Sequence, residues 1–329
     1  MKVFSYVVLF VNLSLPLAAE EHVLPNPTSE WASAVRQAQD QLRKGKFAEA
    51  LENGIRSLQI ARHSGSDAQL ANSYFLLGSI HRDWAHCRES RTNYILAIAT
   101  IRRQSNADVQ HIFNAEITLI TGLCQCGDFD AAGKAFRTYE PDLVKYAGGS
   151  LDQASLLSLQ AAILFGRRKY QEAEKPLLKA IVLEKTLPAS SIQLAIDRST
   201  LSSVYEKERR YAEGLAQAES AIEFFEHSAP RHPSLVASIN NAACILAHMG
   251  RNEESERYFR RALLIAQDLY REDNSVSINI MRSYARVLRT NKQPQTAAEW
   301  QKRSAEATRR AAGVHVETVD AEELRAIGK

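Results

Sequence analysis

Apolar residues recur with helical spacing on both sides of a glycine between Arg231 and Asn274. The apolar positions before the glycine are Leu235, Ile239, Ala242, Ala243 and Leu246. Those after it are Tyr258, Phe259, Ala262, Leu263 and Ala266. Each set falls on one face of a helix. Pro233 stands at the start of the first helix, where the backbone N–H that proline lacks would have no partner within the helix. The pattern therefore predicts two amphipathic helices joined by a tight turn at Gly250.

The same pattern returns along most of the chain. We anchor each copy on the first residue of its second helix, and the seven anchors are Phe47, Cys87, Phe129, Tyr170, Tyr211, Asn252 and Pro294. Their spacing is 40 to 42 residues. Three residues after each anchor the side chain is always small. Nine residues before the anchor and ten residues after it, the side chain is small in six of seven copies; the exceptions are Ile120 and Tyr139 of the third copy. A fixed period of this length indicates a repeat architecture. Small residues in register allow paired helices to approach closely.

These repeats resemble the tetratricopeptide repeat, and among its variants the longer kind found in kinesin light chain. The resemblance implies an all-α fold, a right-handed superhelix of about seven helix pairs. It covers residues 29–312, with repeats at about 29–65, 66–105, 107–148, 150–187, 190–228, 231–273 and 274–312. It also implies a non-catalytic scaffold that holds a protein or an extended peptide in its concave groove.

The two ends of the chain differ from the repeats. Residues 1–19 begin with a positive charge at Lys2, continue with an apolar run and end in small residues at Ala18 and Ala19, which predicts a cleaved secretory signal peptide. We therefore expect an exported protein, periplasmic or secreted, that is not stably inserted in a membrane after cleavage. Residues 20–28 read as a linker. Residues 313–329 read as an acidic tail that either caps the last repeat or occupies the groove.

Composition and motifs narrow the function further. Among 329 residues, 41 are Lys or Arg and 38 are Asp or Glu, a formal charge of +3 that gives no reason to expect a nucleic-acid partner. The sequence contains no phosphate-binding loop, no dinucleotide-binding glycine motif and no HExxH, GxSxG or CxxC motif. We therefore expect neither an enzyme nor a cofactor. The rival to groove binding is a structural protein that self-associates through its solenoid ends or convex face.

Four cysteines occur, at positions 87, 124, 126 and 244. Cys87 begins the second helix of repeat 2, and Cys126 ends the first helix of repeat 3. Antiparallel packing of those helices would bring that start beside that end, so the sequence allows a disulfide from Cys87 to Cys126 or to Cys124. A metal site that combines these thiols with His81 or His86 is a weaker alternative, and we expect no metal. Cys244 reads as a small core residue.

The resemblance also places candidate ligand contacts on the first helices of the last two repeats. These groove residues are Asn240, Asn241, Asn279, Arg282, Arg286 and Arg289. Paired asparagines there are typical of the kinesin light chain type, where they bind the backbone of an extended peptide. The three arginines share one helix face. They are either a solvated surface or, because guanidinium groups bind carboxylates bidentately, the contact for an acidic ligand.

Overall fold

The computed structural model describes residues 29–84, 86–104, 109–186, 192–269 and 275–313. These ranges contain helices and no strands. In chain order the helices are α1 (Glu30–Arg43), α2 (Phe47–Ser64), α3 (Asp67–Asp83), α4 (Cys87–Arg102), α5 (Val109–Gln125), α6 (Phe129–Tyr146), α7 (Ser150–Gly166), α8 (Tyr170–Lys185), α9 (Ile192–Lys207), α10 (Tyr211–Ser228), α11 (Pro233–His248), α12 (Asn252–Leu269), α13 (Ser275–Thr290) and α14 (Pro294–Gly313). The predicted all-α fold of packed helix pairs is confirmed. The predicted signal peptide, the linker and the tail from residue 314 lie outside the described residues.

The even-numbered helices begin at the seven anchor residues of the sequence pattern. Each odd-numbered helix is therefore the first helix of a repeat, and each even-numbered helix is the second. Every pair is closed by a short turn, so its two helices run antiparallel. The period of about 41 residues is thus the spacing between successive helix pairs.

The turn between the two helices adopts one backbone conformation in six repeats, and the corresponding residue of repeat 2 lies outside the described residues. Two residues before the anchor the backbone is left-handed, at Gly45, Gly127, Arg168, Arg209, Gly250 and Lys292. The next amide donates back to a carbonyl five residues earlier, as from Arg251 to Leu246 at 2.9 Å and from Lys169 to Leu164 at 2.9 Å. This pairing is the Schellman ending of a helix. It satisfies the last carbonyls of the first helix and reverses the chain direction.

The small-residue columns lie at close helix contacts. Ala243 and Ala262 are fully buried, and Ser255 donates to the Ala243 carbonyl at 2.7 Å. Those two helices therefore meet too closely for a larger side chain. In the third repeat, Gly122 faces the Tyr94 ring of the preceding repeat, where an added Cβ would lie 3.2 Å from the ring. Gly122 thus serves the junction between repeats and not the helix pair of its own repeat.

The described helices fall into two compact units, one ending at Ala229 and the other starting at Pro230. In the first unit, α1 to α10 pack in chain order, and the first helices also touch one another, α1 with α3, α5 with α7 and α7 with α9. In the second unit, α11 to α14 do the same, with α11 against α13. The first helices of each unit thus lie side by side in a row, and the second helices pack against this row.

Candidate functional site

The first-helix row of the second unit carries an unpaired acceptor at Asn240. Its side-chain oxygen Oδ1 is buried and has no hydrogen-bond partner among the described residues. The adjacent Asn241 is almost fully buried, at 8% exposed. A buried acceptor without a donor costs free energy. Asn240 is therefore the groove asparagine that is able to accept a hydrogen bond from a ligand.

Arg286 reaches from α13 to the same face of α11. Its Nη2 lies 3.9 Å from Sγ of Cys244. Cys244 follows Asn240 by four residues, one helical turn along the same face. The structure therefore brings a guanidinium group and the Asn240 oxygen onto one surface between α11 and α13.

The other predicted groove residues are placed differently. Arg282 donates from Nη2 to Oγ1 of Thr308 at 3.1 Å and is thus directed toward its own second helix. Arg289 is exposed and Asn279 is half-buried. Arg282 and Arg289 form no ion pair with a carboxylate in the described part of the chain. These positive charges are not neutralised from within that part.

The first unit contains a buried polar cluster that the sequence pattern did not reveal. On α9, Asp197 is 1% exposed; its carboxylate accepts a hydrogen bond from Ser158 of α7 and another, at 2.9 Å, from Gln193. Glu184, at the end of α8, is equally buried, and neither of its carboxyl oxygens has a hydrogen-bond partner among the described residues. The cluster lies where α7, α8 and α9 meet.

Burial raises the pKa of both carboxyl groups, and for Glu184 the nearby Asp197 charge raises the pKa further. The hydrogen bonds from Ser158 and Gln193 oppose the pKa increase at Asp197. Among the described residues Glu184 has no such donors, so nothing comparable opposes the pKa increase there. The column of Asp197 holds small or apolar residues in the other six repeats, namely Ser33, Ser73, Ala115, Leu156, Ser238 and Ile280. An acidic residue in a column that otherwise holds small or apolar residues is the sequence signal that could have identified this cluster.

Four further polar residues of α9 are buried or internally paired. Ser199 and Ser203 are buried. Glu206 and Lys207 form an ion pair with 3.0 Å between Oε2 and Nζ. This part of the first unit therefore offers fewer accessible polar groups than the α11–α13 surface.

The cysteines resolve into one bond and two buried thiols. Cys87 and Cys126 form a disulfide with their Cα atoms 5.8 Å apart, and Cys124 and Cys244 are free and buried. Burial raises the pKa of the Cys124 thiol to about 12, so it is no nucleophile near neutral pH. His81 is buried, with its ring centroid 5.7 Å from that of His86; burial first, and then the charge of His86, lower its pKa to about 4. It is a neutral core residue at neutral pH.

The described helices offer neither a cluster of metal ligands nor a segment long and apolar enough to span a membrane. No group of three or more His, Cys, Asp or Glu side chains in those ranges could hold a metal ion. No helix within them combines the length and the apolar composition that crossing a membrane requires.

Comparison with known proteins agrees with this architecture. Residues 235–310 match the tetratricopeptide repeat family model. The apo form of RapI superposes with a TM-score of 0.67 at 13% identity, over 87% of this chain and 100% of that one. NprR from B. thuringiensis, in its apo form, superposes with a TM-score of 0.64 at 12% identity, over 84% of this chain and 76% of that one. A structure of NprR with its cognate peptide NprX superposes with a TM-score of 0.55 at 13% identity, over 94% of this chain and 88% of that one. No curated protein matches the sequence. The tetratricopeptide type of repeat is confirmed, and at these identities the structural likeness establishes the fold alone.

Proposed function

We propose that this chain of tetratricopeptide-type helix pairs is a non-catalytic scaffold that binds an extended peptide on the α11–α13 surface. The observation that carries the proposal is the unpaired Asn240 oxygen, one helical turn from Cys244, whose Sγ lies 3.9 Å from Nη2 of Arg286. An extended peptide has backbone N–H groups, and one of them donates a hydrogen bond to the Asn240 oxygen. Its acidic side chain or terminal carboxylate meets the guanidinium groups.

The free energies favour this kind of ligand. An acceptor buried without a partner costs about 1–3 kcal/mol, which a donated N–H recovers. Arginine binds a carboxylate through two parallel hydrogen bonds, which add geometric selectivity. Arg282 and Arg289 add positive charge nearby, and an acidic peptide is therefore favoured over a basic one.

Two neighbours of the same fold support a peptide ligand. One is the NprR complex with its cognate peptide NprX. The other is a Rap protein in complex with competence and sporulation factor, which superposes with a TM-score of 0.62. They supply an analogy of architecture, because their sequences are only 12–13% identical to this one.

We further propose that the scaffold is exported to the periplasm or the extracellular space. The residue pattern of positions 1–19 supports this proposal, and so does the bond between Cys87 and Cys126, because disulfides persist in oxidising compartments. Mass spectrometry of the protein purified from its native cells tests the proposal. A mature chain beginning near Glu20 is expected, and an intact Met1 in a cytoplasmic pool contradicts it.

The binding proposal is tested with an array of short extended peptides that carry either Asp and Glu or Asn and Gln at matched positions. Arg286→Met is expected to weaken binding of the acidic set by about 10–100-fold, since hydrogen bonds to charged groups contribute about 1.5–3 kcal/mol. Asn240→Ala is expected to weaken both sets by about fivefold. The control is Arg257→Met on the exposed face of α12.

Equal affinity of the native chain and both variants would contradict the proposed surface. Recovery of each peptide at its original mass, after prolonged incubation with the protein, is expected of a scaffold that does no chemistry. Cleaved or modified peptide would overturn that part of the proposal.

A further inference from the structure

The outer face of α8 exposes two large apolar side chains that nothing in the described chain covers. Leu178 is 42% exposed and Val182 is 63% exposed. They are four residues apart and therefore form one stripe along the helix. Apolar groups exposed to water at this spacing mark a surface whose free energy falls when another apolar surface covers it.

The stripe borders an open groove of about 660 Å³. Leu157 from α7 and Leu183 from α8 add to its apolar wall. Its polar lining consists of Gln171, Glu174, Lys175 and Lys179. The groove runs along α8, since all its lining residues except Leu157 belong to that helix.

The charges in this groove are unbalanced. Glu174 receives an ion pair from Arg210, at 2.8 Å between Oε1 and Nη1. Lys175 and Lys179 are exposed and have no ion pair in the described part of the chain. They lie four residues apart, and three residues before Leu178 and Val182 respectively. A basic stripe therefore runs beside the apolar one, with its charge available to a partner.

The corresponding face of α10 shows that this is no general property of the repeat. Counted from the first residue of each helix, Leu178 and Val182 correspond to Glu219 and Glu223. Both glutamates are exposed, as suits a surface in water. On α12, Leu264 corresponds to Val182 and is 71% exposed, but Arg260 takes the place of Leu178. Among these three helices, only α8 pairs the two apolar positions.

We propose that the α8 groove docks an amphipathic helix of a partner protein, one with two apolar side chains a turn apart flanked by Asp or Glu. The apolar side chains cover Leu178 and Val182, and the carboxylates meet Lys175 and Lys179. Matching i, i+4 stripes are the geometry by which a helix lies in a groove. This surface is distinct from the α11–α13 surface, so the inference is independent of the proposed function.

The test uses the full chain and a designed helical peptide as probe, with Leu at two positions four apart, Glu beside them and a side-chain lactam that holds the helix. Fluorescence anisotropy is expected to show saturable binding. The double variant L178E/V182E is expected to lower the affinity at least tenfold. A probe in which each Glu is replaced by Lys is expected to bind at least tenfold more weakly.

Leu264→Glu is the matched control, because it places the same charge at the same register on α12. It is expected to leave the probe affinity unchanged. Far-UV circular dichroism of each variant establishes that its helix content is intact. Binding that L178E/V182E does not weaken overturns the proposal, and so does equal weakening by Leu264→Glu.

Sedimentation of the chain without probe separates a partner from a second copy. The docking proposal expects the same monomeric sedimentation for the native chain and for L178E/V182E. A native dimer that L178E/V182E dissociates would overturn it and would assign the groove to self-association.

Discussion

Two junctions between successive repeats, α4 with α5 and α8 with α9, bury a carboxyl group in the same part of the fold and treat it differently. At the first, Glu116 is fully buried and receives a hydrogen bond from Arg102, which is 40% exposed. At the second, Glu184 is buried beside Asp197. Arg102 and Glu184 both lie near the ends of their second helices. One junction thus supplies a cation where the other supplies a second acid.

The difference shows that burial alone does not decide the charge of a side chain. Burial raises the pKa of Glu116, but the hydrogen bond and charge of Arg102 oppose the change. No cation among the described residues opposes it at Glu184, where the Asp197 charge adds to the effect of burial. Arg102 also meets Asp142, at 2.5 Å between Nη2 and Oδ2, and thereby joins three helices. The first junction is held by charge, and the second depends on a retained proton.

The largest expected effect comes from the covalent bond at the first junction. Reduction of the native chain, or the double change Cys87→Ser and Cys126→Ser, is expected to lower the free energy of unfolding by about 2–4 kcal/mol, because the bond closes a long loop in the unfolded chain. The separation of the two cysteines is 39 residues. Urea unfolding with and without reductant measures the loss. If reductant leaves the midpoint unchanged, the two thiols are not joined, and the first junction is held by charge alone.

Removing the cation at that junction should make it resemble the second. Arg102→Met is expected to cost about 1–3 kcal/mol at neutral pH, less than for a fully buried pair because the arginine is partly exposed. The cost should shrink at acidic pH, because burial raises the pKa of Glu116 and a protonated carboxyl group no longer needs the cation. Urea unfolding at neutral and at acidic pH measures this, with the neighbouring Arg103→Met as control. A cost independent of pH would mean that Arg102 acts by packing.

The second junction should lose stability as the pH rises. The native pKa of Glu184 is raised above its ordinary 4.5, so the native state holds a proton that the unfolded state releases. The stabilisation is complete below about pH 4.5 and is lost as the pH rises through the native pKa, at about 1.4 kcal/mol for each pKa unit. Glu184→Gln should reduce that slope to the part that comes from the raised pKa of Asp197, and Glu172→Gln on the exposed face of α8 should leave the slope unchanged. Hydrogen exchange or urea unfolding from pH 5 to pH 8 measures the slope. An unchanged slope in Glu184→Gln would contradict a retained proton.

The smallest expected effect concerns the hydrogen bond between Ser158 and Asp197. Ser158→Ala removes a donor to the carboxylate and is expected to cost about 1 kcal/mol, mainly at pH values where Asp197 is ionised. The control Ser155→Ala removes only a hydroxyl that donates to the Leu151 carbonyl. Urea unfolding at pH 5 and pH 8 compares the two. Equal losses at both pH values would show that Ser158 does not hold a charge.

The helix starts could be predicted because a repeated register reports packing that every copy shares. The carboxyl pair could not be predicted in this way, because Asp197 and Glu184 depart from the shared pattern and lie 13 residues apart on different helices. Their meeting depends on how α8 and α9 cross.

The cysteine pairing shows a smaller limit of the same kind. The sequence left Cys124 and Cys126 open as partners of Cys87, since helix ends are uncertain by one or two residues. In the structure α5 ends at Gln125. Cys126 therefore stands just past the helix end, opposite the start of α4, while Cys124 is buried within the helix. The direction of Arg282 toward Thr308 likewise depends on side-chain contacts that spacing does not encode.

The shared turn has a consequence for how such a chain diverges in evolution. The left-handed residue is glycine at Gly45, Gly127 and Gly250 but arginine or lysine at Arg168, Arg209 and Lys292. A side chain in that conformation costs about 1–3 kcal/mol, whereas the two backbone hydrogen bonds of the turn persist. Glycines can therefore be lost one turn at a time while the others bear the fold. Repeats can thus differ widely in sequence at the turn while sharing one chain path.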